Sequence, residues 1–109
     1  MKVAIYNAYS KYGVEIEDER EKSRIKRACR NAVNEILKEY GGISNAPDEA
    51  YVRTLKYRIR MAFVDDWQYP KAYVMIEDNE GNRYVCNYHL KSMYQGTYLN
   101  CWRMPEGRE

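Results

Sequence analysis

Apolar residues recur along this chain at two different spacings, and each spacing predicts its own kind of element. From about Ile16 to Tyr40 the positions Ile25, Ala28, Cys29, Ala32, Val33, Ile36, Leu37 and Tyr40 return every third or fourth residue, the period of a helix that buries one stripe. Gly41 and Gly42 follow at once, and glycine ends helices because it enters the left-handed conformation without a Cβ penalty. Glu15, Glu17, Asp18 and Glu19 gather at the other end, where the helix dipole favours negative charge. Other stretches read as strands. "KVAIYNAY" (2–9), "KAYVMIE" (71–77), "RYVCNYHL" (83–90) and "GTYLNCWRM" (96–104) are rich in β-branched and aromatic residues, which suit a pleated, half-buried surface. "DNEGN" joins the middle pair as a hairpin connection, since Asp, Asn and Gly tolerate the positive φ that such turns need.

One stretch fits both periods. In "TLKYRIRMAF" (54–63), a strand puts Leu55, Tyr57, Ile59, Met61 and Phe63 on one face and Lys56, Arg58 and Arg60 on the other. A helix would instead bury Val52, Leu55, Ile59, Ala62 and Phe63 and scatter the charges. Just upstream, Asn45, Pro47, Asp48 and Glu49 have the order of a helix start: cap, proline in the first turn, acids beside it. A short helical turn at 47–52 that leads into a strand satisfies both signals. The expected fold is therefore α+β, an antiparallel sheet of about four to five strands with one long amphipathic helix packed on one face. No linker or repeat divides the chain, so 1–109 is expected to be one globular domain with a tail frayed from about residue 105.

Composition sharpens this picture in three places. A net charge of +2, from 18 Lys and Arg against 16 Asp and Glu, is too small to demand a polyanionic partner, so any nucleic-acid reading needs a local patch. No apolar run approaches the ~20 residues of a membrane span, and "MKVAIYNAYSKYG" lacks the apolar centre of a signal peptide. Together with three cysteines that cannot all pair in one chain, this points to the cytoplasm and to free thiols. Tyrosine is the outlier, with 12 against a single Phe. A ring with a polar tip suits half-buried positions and binding surfaces, although strand propensity alone also favours it.

Catalytic parts are scarce. No phosphate loop, dinucleotide fingerprint or nucleophile elbow occurs, and His89 is the single imidazole available to any Ser or Cys nucleophile. Asp65, Asp66, Glu77 and His89 are the set from which a metal-dependent nuclease would have to be built. Adjacent strand residues point to opposite faces, which weakens Asp65–Asp66 and Glu77–Asp78 as joint ligands. Cys86-x-x-His89 with Cys101 and Cys29 matches a zinc set in count but lacks the paired short spacings of strong zinc motifs. No catalytic residue, metal site or cofactor is therefore assigned. The basic band on the helix, Lys22, Arg24, Lys26, Arg27 and Arg30, reads as a solvated face.

What remains is a surface. Lys56, Arg58 and Arg60, with Tyr73, Tyr84 and Trp102 on neighbouring strands, are the candidate binding residues. Tyr, Trp and Arg dominate protein hot spots, and the same residue types hold single-stranded nucleic acid or nucleotides. A plain solvated strand face, with Lys and Arg suppressing edge pairing, is the structural alternative. The expectation is a small non-enzymatic binding protein that occludes a protein partner, in the style of a phage or mobile-element inhibitor of a host enzyme. A nucleotide or nucleic-acid module is the alternative, a metal-dependent nuclease ranks third, and the long edge strand leaves room for a homodimer.

Overall fold

The computed structural model describes residues 12–66, 68–91 and 98–105. The strand expected at 2–9, the start of the one expected at 96–104 and the tail beyond 105 lie outside the described residues. A long helix, α1 (Glu19–Tyr40), follows a two-residue strand, β1 (Val14–Glu15). Five further strands follow among the described residues: β2 (Glu49–Arg53), β3 (Tyr57–Val64), β4 (Lys71–Asp78), β5 (Arg83–His89) and β6 (Tyr98–Arg103). They form one antiparallel sheet in the order β1-β6-β5-β4-β3-β2, and α1 packs on one face.

α1 begins three residues later than its apolar period suggested. Asp18 caps it, accepting a hydrogen bond from the Arg20 N–H at 2.9 Å, and Glu19 and Glu21 occupy the first turn, where an anion meets the unsatisfied N–H groups. Gly41 closes the other end at φ 79°, with its N–H bonded to the Leu37 carbonyl. Ile25, Cys29, Ala32, Val33 and Ile36 are buried as the spacing predicted, whereas Tyr40 is exposed. They meet a layer in register across the strands. Ile59, Ile76 and Tyr84 form one row, Met61, Val74, Cys86 and Cys101 the next, and Phe63, Ala72, Tyr88 and Leu99 the third.

The sheet has six strands among the described residues, where four to five were expected. Part of the difference lies at 47–52. The expected helical turn is absent; residues Ile43–Asn45 make a 3-10 turn, and Glu49–Arg53 run as strand β2, paired with β3 from Glu49↔Ala62 to Arg53↔Arg58. The connection is a turn without Gly, Asn or Asp. The Thr54 hydroxyl accepts hydrogen bonds from the N–H groups of Tyr57 at 3.0 Å and Lys56 at 3.3 Å, and the Thr54 N–H donates to the Tyr57 carbonyl at 2.9 Å. Ser and Thr hold such turns through their side chains, and Leu55 at its tip is 96% exposed.

The β4–β5 hairpin follows its sequence signature. Gly81 takes φ 86°, and Asp78 accepts from the N–H groups of Glu80 and Asn82, each at 2.9 Å.

Candidate functional site

β3 is a strand, so Arg58 and Arg60 do project on the face away from α1. Lys56 does not join them, because it lies in the turn before the strand and contributes to a separate cleft beside α1. Register assigns the remaining neighbours. Tyr51, Arg60, Met75, Val85 and Trp102 form one row across the outer face, and Arg53, Arg58, Glu77 and Arg83 form the row beside it. Tyr73 is on this face too. Tyr84 stands on the opposite one, buried under α1, because even-numbered positions of β5 face the helix.

The outer face is not the continuous basic surface that the alternation suggested. At its centre Ala62, Tyr73 and Val85 are buried, and Ala62 and Tyr73 pack with Val64 and Met75 as a second small apolar cluster. Lys71 Nζ lies 5.8 Å from the Tyr73 ring centre, so that tyrosine is a packing residue with a cation over it. The accessible part is one end of the face. There an open groove of about 610 Å³ is lined by Arg53, Arg58, Arg60 and Arg83, together with Glu77, Tyr51 and Met75.

Among the described residues, four guanidiniums therefore share this groove with one lining carboxylate. Two of them are engaged: Arg58 Nη2 lies 3.1 Å from Glu77 Oε1, and Arg60 Nη2 lies 3.7 Å from Glu49 Oε2. Arg60 also sits over the Tyr51 ring at 5.6 Å, and the Tyr51 hydroxyl donates to Glu49. Arg53 and Arg83 make no ion pair among the described residues. Arg58 and Glu77 are both accessible, so their pair adds little to stability, whereas the Glu49 side chain that holds Arg60 is only 6% exposed. Both pairs hold planar donors at fixed places along the groove.

No family model, curated protein or solved structure matches this chain.

Two other sets singled out in the sequence do not assemble. Asp65 and Asp66 follow β3 at one end of the sheet, near the Lys71–His89 pair, and Asp66 accepts from the Gln68 N–H at 3.0 Å. Glu77 stands six positions along β4 from Lys71, or about 20 Å at the rise of a strand, and cannot share a cation with them. In the second set, Cys86 faces α1 while His89, three residues on, faces away. Among the described residues no group of three or more His, Cys, Asp or Glu could hold a metal ion. Cys86 instead meets two other thiols. Cys101 is its cross-strand neighbour and Cys29 descends from α1, all three free and buried, and burial drives the Cys86 thiol well above its ordinary pKa.

Tyr84 belongs to a network that the sequence did not reveal. Its hydroxyl donates to Glu21 Oε2, which also lies 3.4 Å from Arg103 Nη1, and Arg103 Nη2 donates to Asn82 Oδ1 at 2.7 Å. Burial first, then the bond to Glu21, raises the Tyr84 pKa far above that of free tyrosine. The first turn of α1 is thereby tied to β5 and β6. The signal for it needed three elements in register, so no local pattern contained it.

Proposed function

We propose that this protein is a non-enzymatic binding module whose arginine groove takes hold of an acidic protein partner and occludes it. The observation behind this reading is the convergence of Arg53, Arg58, Arg60 and Arg83 on one accessible groove, where Glu77 is the sole lining carboxylate among the described residues. Guanidinium forks recognise carboxylates through paired, directional hydrogen bonds. Tyr51 and Met75 add an apolar floor of the kind on which a protein side chain packs.

A nucleic-acid strand is less well served. Sequence-tolerant strand binding needs successive open rings, whereas Tyr73 is buried and the Tyr51 ring already carries Arg60. Glu77 would also face the phosphates. No helix among the described residues is long and apolar enough to cross a membrane, and a cytoplasmic partner is the one we favour.

The test compares wild type with the double variant Arg58→Ala, Arg83→Ala, using a labelled acidic peptide and a labelled single-stranded oligonucleotide. The peptide is expected to bind wild type at least tenfold more tightly than the variant, with circular dichroism unchanged. Equal binding by both proteins would refute the groove. Tighter binding of the oligonucleotide, with a steep loss as salt rises, would make nucleic acid the partner.

A further inference from the structure

α1 turns one side to the core and the other to solvent. The buried Ile25, Cys29, Ala32, Val33 and Ile36 mark the first side, and at about 100° per residue a strip about 120° wide lies directly opposite them. The charged residues of that strip are Arg20, Arg24, Arg27, Arg30 and Lys38, all exposed. Ser23, Asn31 and Asn34 fill the places between. No acid stands on the strip, although Glu19 and Glu35 flank it. None of the five cations makes an ion pair among the described residues. The basic band legible in the sequence is thus divided by the helix: Lys22 and Lys26 turn away, half-buried, while Arg24, Arg27 and Arg30 line up with Arg20.

This order of charges does not serve the helix itself. Arg20, Arg24, Arg27 and Arg30 follow one another at spacings of three and four residues, where like charges are neighbours and disfavour the helix. They also crowd its N-terminal half, whereas the dipole favours cations at the other end, where Lys38 stands alone in the last turn. A polyanion laid along the strip removes the repulsion.

We propose that this strip binds the phosphate backbone of double-stranded DNA, with the ridge of α1 seated in the major groove. Arg, Lys, Ser and Asn are side chains that reach phosphate oxygens, and the strip presents no other kind. It carries no aromatic ring, on which binding of a single strand would depend. A helix ~10 Å across that lies on a sheet protrudes by about its own width, more than the ~8.5 Å depth of the B-form major groove. The major groove of double-stranded RNA is too narrow for side chains to read. Five cations on one strip supply the local patch that a net charge of +2 leaves wanting. The strip and the arginine groove lie on opposite sides of the sheet, so this inference does not rest on what the groove holds.

Fluorescence anisotropy of a labelled random-sequence DNA duplex, titrated with protein at several salt concentrations, tests this. Wild-type affinity is expected to fall linearly in log K against log salt. The triple variant Arg24→Gln, Arg27→Gln, Arg30→Gln is expected to bind at least tenfold more weakly, with a salt slope smaller by about one per arginine removed. All three positions are exposed, so its circular dichroism is expected to match wild type. The groove variant Arg58→Ala, Arg83→Ala is expected to bind the duplex as wild type does, which separates the two surfaces. A wild type that fails to bind the duplex at low salt would overturn the proposal, as would equal binding by the triple variant. Equal or tighter binding of a single strand or an RNA duplex of the same length would overturn it too, and so would loss of acidic-peptide binding in the triple variant with duplex binding intact.

Discussion

His89 illustrates how much the neighbours of one residue decide. Its pKa is held below the ordinary 6.5 by burial first and by the cross-strand Lys71 ammonium second, both of which disfavour a second positive charge. The unfolded chain takes up a proton near the ordinary value while the folded protein resists it. Stability from this source is thus complete above pH 6.5 and is lost as pH falls below it. Denaturant midpoints measured across that range should decline in wild type and decline less in His89→Gln. Lys71→Met should raise the His89 pKa only part of the way, as read by NMR titration, because burial remains. A full return to the ordinary value would make Lys71 the principal cause. Tyr84 makes the same point from the other side of the sheet: a ring that composition marks as a surface candidate is committed to Glu21 beneath the helix.

Among the elements, the two hairpins differ in how openly the chain announces them. The β4–β5 turn depends on one carboxylate, with Asp78 Oδ1 accepting two backbone N–H groups and Oδ2 accepting the Asn82 amide at 3.0 Å. Asp78→Ala should cost about 1–2 kcal/mol in chemical denaturation, the loss of hydrogen bonds to a charged acceptor. A change below a few tenths would show that the glycine alone sets the turn. This hairpin was legible because Asp, Asn and Gly are turn residues whatever surrounds them. β2–β3 was not, because a threonine hydroxyl holds it and the Asn-x-Pro-Asp upstream imitates a helix start. Pairing with β3 overrode that local signal, as tertiary contacts commonly do.

At the scale of the whole molecule, one helix covers one face of the sheet and closes a core that includes Cys29, Cys86 and Cys101, which are 0%, 2% and 5% exposed. A thiolate is the reactive form, and burial opposes it. A thiol reagent should label none of the three in the native protein and all of them in guanidinium; labelling of one in the native state at the rate of a free thiol would mean that the core opens there.

The chain by itself determined the helix, the hairpin and the class of fold, because periodicity and turn chemistry act over a few residues. It also placed Arg58 and Arg60 on the face away from the helix once the alternation from Leu55 to Phe63 was read as a strand. Strand register decided the rest. It sent Tyr84 inward, buried Tyr73 at the middle of the outer face, separated Lys56 from the two arginines, and brought Arg53 and Arg83 from other strands to complete the groove. Those placements depend on which residues lie opposite one another across hydrogen-bonded strands, a relation between distant parts of the chain that no local spacing encodes.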